Sequence, residues 1–171
     1  VNRALISVQA AASAISLNLE LNKVLETFNW EMSHLLDSSG CGIYFLHSGT
    51  DIIALAASYS TEKTGDQINF APDYKLSAFP FLEQITQDRF PLQIDLVDGR
   101  YDSVDLSYLT AMGVTAILLL PMVFQDRVLG LAKVILWQTE RRFTEQEISL
   151  AQLLTNQAAA AVANAYLYDE C

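Results

Sequence analysis

Two apolar, β-branched runs, Val114–Phe124 and Val128–Trp137, flank the short polar turn Gln125-Asp126-Arg127. That alternation predicts a β-hairpin. A second hairpin is predicted upstream, from Cys41–His47 through the turn Ser48-Gly49-Thr50-Asp51 to Ile52–Ser60. Ahead of it the period changes to that of a helix. Residues 2–16 carry Leu5, Val8, Ala12 and Ile15 in a 3-4-3 spacing, narrow enough for a coiled-coil seam. Ser16 and Asn18 are expected to break and recap this helix. A second helix, about Leu19–Leu36, carries the stripe Leu21, Val24, Leu25, Phe28, Met32, Leu35, Leu36, and Asp37-Ser38-Ser39-Gly40 ends it.

Residues 61–76 read mostly as loop, with Ile68–Phe70 as a short edge strand. Ser77 is expected to cap a helix over Ala78–Gln87, with Pro80 tolerated in its first turn. Pro91–Asp95 reads as a short strand. An acidic loop follows, holding Asp95, Asp98, Asp102 and Asp105, and Leu106–Met112 forms a short helix. Thr144, with Glu147 three residues on, forms a capping box for a last helix over Glu145–Asp169. The alanine-rich middle of that helix allows close approach by a neighbour. The order implies an α+β fold: a central antiparallel sheet of about five or six strands, terminal helices packed on one face, and loops and short helices on the other.

Composition narrows the function classes. The chain has 171 residues, 51% hydrophobic and 18% charged, which suits a single globular domain spanning 1–171. Residues 1–18 are expected to act as a linker and dimerisation helix, and 145–171 as a signalling helix. A net charge of -10 argues against a broad basic face for nucleic acid. No apolar run approaches the ~20 residues that span a membrane, and the start does not read as a secretory signal. Cys41 and Cys171 are the only cysteines, so no disulfide framework is expected and a cytoplasmic setting suits the chain. The missing initiator Met and a helix still running at Tyr168-Asp169-Glu170 predict a fragment of a longer protein.

The motif series Tyr108-Leu109-x-x-Met112-Gly113-Val114-x-Ala116, Leu120-Pro121-Met122, Leu129-Gly130-Leu131, Arg142-Phe143-Thr144-x-x-Glu147 and Gln157-Ala158-x-x-x-Val162-x-x-Ala165 resembles the GAF domains of signalling proteins, which are PAS-like in layout. Its order and spacing carry the likeness. Pro121, after a strand, would end ladder pairing, and Gly130 would permit close backbone approach. The resemblance implies a ligand cavity roofed by residues 77–112 and floored by one face of the central hairpin. Period-two alternation puts Leu129, Leu131, Lys133, Ile135 and Trp137 on that face, and Val128, Gly130, Ala132, Val134 and Leu136 on the other. It places Lys133, Trp137, Tyr108, Asp95, Tyr101 and Met112 as the candidate pocket. Lys133 is the anion or carbonyl contact if it faces inward; otherwise its stem packs on the sheet and its head reaches water.

Other family chemistries find less support. In cyanobacteriochromes a Cys-His pair precedes the strand valine by about one short helix; Val104 and Asp105 stand there. The strand that supplies a bilin-contacting His in phytochromes has none. Cyclic-nucleotide GAF domains carry Asn-Lys on the last strand, where Leu136 and Trp137 stand. Thiol-based sulfoxide reduction needs a resolving Cys that Cys41 lacks nearby. His34 and His47 read as surface or helix-end residues, and the acids of 95–105 as caps and loop solvation. The expectation is a non-catalytic regulatory module of unknown ligand, homodimeric through its terminal helices and linked to an output domain such as a histidine kinase or cyclase. A ligand-free spacer filled by Phe79, Phe81, Tyr101, Tyr108, Met112 and Trp137 is the alternative.

Overall fold

A computed structural model describes residues 2–47, 49–61, 70–97 and 104–169, and the side chains of 2–18, 104–106, 108 and 166–169 lie outside that description. The central alternation forms the expected hairpin, β5 (Val114–Phe124) and β6 (Arg127–Trp137), paired from Val114↔Trp137 to Phe124↔Arg127. Its turn is Gln125 and Asp126 alone, with φ of 47° and 63°. Two positive φ values match the right-handed twist of the strands. Arg127 is therefore the first strand residue rather than part of the turn.

The upstream hairpin is β1 (Gly40–Leu46) and β2 (Ile52–Ser60). β3 (Asp73–Lys75) pairs with β2, and β4 (Leu92–Asp95) pairs with β5. The sheet has six strands in the order β3-β2-β1-β6-β5-β4, every pair antiparallel. Its edges are thus strands of three and four residues. β3 is an edge strand that was not expected at Asp73–Lys75. Phe70 is buried outside any strand, and 68–69 fall outside the described residues.

α1 (Asn2–Leu35) and α4 (Glu145–Asp169) pack beside one another on one face of the sheet. The break expected at Ser16 and Asn18 is absent: α1 is continuous. Neither residue costs more than about 0.7 kcal/mol inside a helix, and the flanking Ala and Leu residues favour continuation. α1 ends where Asp37 takes φ 47° and the Ser38 N–H donates to the Ser33 carbonyl at 3.0 Å. That is the reverse turn usually made by Gly. The Thr144 capping box forms as expected. The Glu147 N–H donates to Thr144 Oγ1 at 3.1 Å, and the Thr144 N–H to Glu147 Oε1 at 3.0 Å.

Between helices and sheet lie Phe28, Met32, Leu36, Cys41, Ile43, Leu118, Leu120, Ala132, Val134, Leu136, Phe143, Ala159 and Val162. Small residues on β6 and α4 bring the layers close. β5 runs through Pro121 to Phe124 rather than stopping there. β4 pairs only as far as Leu119, so no neighbouring strand needs a Pro121 N–H. The Pro121 carbonyl accepts from Gln152 Nε2 of α4 at 3.0 Å.

One polar residue sits awkwardly in this layer. Asn29 of α1 is buried, and neither its Oδ1 nor its Nδ2 meets a protein partner. An unmade buried hydrogen bond costs about 1–3 kcal/mol. Asn29→Leu is therefore expected to raise the unfolding free energy by about 1–2 kcal/mol. Urea titration checks it; a fall in stability would show that Asn29 is satisfied by internal water.

Candidate functional site

The opposite face of the sheet carries Tyr44, Ile53, Ile117, Leu119, Leu131 and Ile135. Three short elements cover it: a 3-10 turn (Leu76–Ala78), α2 (Pro80–Asp88) and α3 (Val104–Ala111). The cap of α2 is Phe79, with Pro80 at its first position, not Ser77 as expected. Pro80 fixes φ and lacks only an N–H the helix start leaves unpaired. Ser77 lies in the 3-10 turn, and its N–H donates to Asp51 Oδ2 at 3.1 Å. The Ser77 hydrogen bonds hold the Asp51 carboxyl below its ordinary pKa despite slight desolvation. They pin the cover to the β1–β2 turn.

Beneath the cover is a void of about 10 Å³ lined by Tyr44, Ile53, Tyr74, Phe81, Leu82, Ile117, Leu119, Leu131 and Lys133. A water needs about 10–15 Å³. Among the described residues, this void has room for about one water. Lys133 is 5% exposed, and its Nζ donates to the Tyr74 hydroxyl at 3.0 Å. The ammonium is 5.1 Å from the Tyr74 ring centroid. Of these two contacts the hydroxyl is the closer, so the hydrogen bond orients the ammonium more than the ring face does. Tyr44 donates to the Ala71 carbonyl at 2.8 Å. Tyr44, Tyr74, Phe79 and Phe81 form an aromatic row, with successive centroids 5.4, 5.1 and 6.0 Å apart. It leads from the sheet centre to the start of α2.

Of the four residues expected at the pocket whose side chains are described, Lys133, Trp137, Asp95 and Met112, Lys133 lines the void. Trp137 and Met112 meet each other instead: Trp137 Nε1 donates to the Met112 carbonyl at 2.8 Å, closing the end of α3. Gly113 has φ 94°, and a Cβ there would meet Trp137 Nε1 at 2.8 Å. The Asp95 carboxylate accepts from Arg142 Nη2 at 2.7 Å and from the Val97 N–H at 2.9 Å, away from the void. Tyr101 lies outside the described residues, as does the Tyr108 side chain.

The predicted pocket face of β6 is right for Leu131, Lys133, Ile135 and Trp137 but wrong for Leu129, which packs with the helix-side core. Met122 pairs with Gly130 and Val123 with Val128, so Leu129 is an extra residue in the ladder. Such a bulge flips the facing of what precedes it. Sequence reasoning missed Tyr44 and Tyr74. The partner strand β1 supplied the signal for Tyr44, which pairs with Leu131 on the pocket face.

The sequence model describing the GAF domain matches residues 20–162. The chain belongs to the GAF domain family. GAF domains are in general non-catalytic, ligand-binding regulatory modules. No curated protein matches this GAF domain by sequence. Solved structures share its fold. The phycocyanobilin-bound GAF domain from a cyanobacterial phytochrome is 22% identical with TM-score 0.75, covering 94% of this chain and 93% of that one. The blue-light absorbing form of the Thermosynechococcus elongatus PixJ GAF domain is 17% identical with TM-score 0.75, covering 91% and 92%. The GAF domain/HD domain protein from Geobacter sulfurreducens is 18% identical with TM-score 0.73, covering 86% and 94%.

In this GAF domain Cys41 is fully buried on the helix side of the sheet, and burial pushes its thiol pKa up. That suits packing rather than thiol chemistry. Among the described residues no group of three or more His, Cys, Asp or Glu is placed to hold a metal ion. No described helix is long and apolar enough to cross a membrane.

Proposed function

We propose that this GAF domain is a regulatory sensor module of a larger cytoplasmic signalling protein, and that its ligand is a small molecule seated over Lys133. The observation that carries the reading is Lys133, a buried lysine on the cavity side of the sheet whose Nζ donates to the Tyr74 hydroxyl beside the void. A buried lysine set among aromatic side chains on the fold's ligand side is a functional candidate. The void is too small for an occupant, so binding requires the Tyr74–Phe81 row and α2 to move outward. Ligand affinity is then reduced by the rarity of the open form.

Output would pass to the terminal helices, which are proposed to pair between two copies and to lead to a linked output domain, such as a histidine kinase or cyclase. An open groove of about 440 Å³ between α1 and α4, with Val24, Phe28, Leu154 and Ala158 in its lining, supports that pairing, as do the exposed Leu150 and Leu153. The second reading is a ligand-free spacer. The 10 Å³ void favours it, since the cover already fills the face with its own side chains.

Native mass spectrometry against a metabolite extract separates the two. The sensor reading expects a retained small molecule whose affinity falls at least about tenfold in Lys133→Met while the protein stays folded. Absence of any retained molecule in the wild type, or an affinity unchanged in Lys133→Met, would count for the spacer.

A further inference from the structure

The seven-residue link between β6 and α4 gathers contacts from three separate parts of the fold. Arg141 donates to the Leu36 carbonyl and, at 2.8 Å, to the Asp37 carbonyl, in the turn that closes α1. The same guanidinium pairs with Glu147 in the first turn of α4 at 3.1 Å. Arg142 reaches the other way, to Asp95 at the end of β4, at 2.7 Å. The Gln93 carboxamide grips the Phe143 backbone from β4: its Nε2 donates to the carbonyl at 3.1 Å, and its Oε1 accepts from the N–H at 2.8 Å. The Arg142 side chain also folds back onto the Arg141 carbonyl at 2.7 Å. The two arginines are thus tied by a hydrogen bond as well as by the peptide bond between them.

Asp95 joins this link to the end of β4 and the residues that leave it. Its Oδ1 accepts from both Arg142 and the Val97 N–H, where the chain leaves the sheet toward the segment before α3. We infer that Arg141 and Arg142 form a two-ended coupling, Arg142 reading the end of β4 and Arg141 setting the end of α1 against the start of α4. This rests on the reading that the cover signals to the helices, and it names the parts that carry the signal. A shift of the β4 end displaces Asp95, Arg142 follows, and Arg141 carries the change to both helices at once. Coupling of this kind needs a contiguous set of contacts with two arrangements, and the adjacent guanidinium groups supply the contiguity. Arg suits the role because its fork engages two acceptors in fixed geometry.

The test uses no ligand. Amide hydrogen exchange is followed in the wild type, Asp95→Asn, Arg142→Gln and the double variant. Asp95→Asn is expected to speed exchange roughly three- to fivefold in the last turn of α1 and the first turn of α4, as well as locally. Arg142→Gln should reproduce the pattern, and the double variant should add nothing further. Arg142→Lys, which keeps the charge and loses the fork, should speed the same two turns. A change confined to residues 92–97, or single effects that sum in the double variant, would overturn the coupling. So would an equal rise in Asp126→Asn, which removes only the exposed contact with Arg89. Failure here leaves binding at Lys133 intact as a question for mass spectrometry, so the two readings fall separately.

Discussion

Gly130→Ala is expected to lower the thermal midpoint of this domain by roughly 6–20 °C, equivalent to about 3–5 kcal/mol. Gly130 pairs with Phe45 across the β6–β1 ladder, beside the Leu129 bulge. A Cβ on Gly130 would fall inside the Tyr44 carbonyl oxygen, and would lie 2.9 Å from the Tyr44 carbonyl carbon and 3.0 Å from Phe45 Cα. All three are backbone atoms, so no side chain can turn aside. The two strands must part at the centre of the sheet, where both faces are packed. Gly42→Ala provides the contrast. Its Cβ would meet the Phe70 ring at 2.8 Å, and a ring can rotate. That change is expected to cost only about 1 kcal/mol. Urea and thermal unfolding of the two variants check the pair; equal losses would show that the β1–β6 contact yields more readily than its geometry implies.

Arg141→Met is expected to cost about 2–3 kcal/mol, a fall of roughly 4–12 °C in the thermal midpoint. The guanidinium satisfies two carbonyls that the end of α1 leaves without helical partners. It also supports the Glu147 carboxylate. Partial burial disfavours that charge, but the Thr144 N–H, Arg141 and the Thr144 hydroxyl outweigh burial, and the Glu147 pKa lies below its ordinary value. Loss of Arg141 removes acceptor satisfaction at one helix and weakens the cap of the other. Its alkyl stem and charge also pack near Phe143, 5.3 Å from the ring centroid, so methionine retains only part of the contact. Arg141→Lys should recover less than half of the loss, because an ammonium cannot hold the α1 carbonyls and Glu147 together. Denaturant unfolding of both variants decides it; full recovery by lysine would mean that charge alone matters.

The central hairpin and the last helix were legible because each rests on neighbours close in sequence. β5 and β6 are long apolar, β-branched runs joined by a tight polar turn, and the Thr144–Glu147 box is a three-residue device. Lys133 was legible from period-two alternation, counted from Trp137. The count failed at Leu129 because a bulge is defined by its partner strand, which periodicity does not contain. Tyr74 was hidden for a related reason. β3 has three residues, too few for a pattern, and pairs with Ile52–Ala54 some twenty residues earlier. Asp95 and Trp137 were expected at the pocket, and neither lines the described void. Which way each turned depended on Arg142 and on the α3 carbonyl, contacts made across long stretches of chain. At Ser16 and Asn18 the failure was of another kind. Both residues favour caps, but a cap needs a reason for the chain to turn, and α1 meets none.

The short edge strands bear on how this domain can assemble. A sheet edge is a template for another strand, and a long flat one invites polymerisation. Here the outer strands offer three and four residues, and the Gln93 side chain on β4 is already engaged by Phe143. Copies brought together at high local concentration therefore find little purchase sheet to sheet. Crowded copies would thus meet open-ended strand addition with little to extend at the described edges.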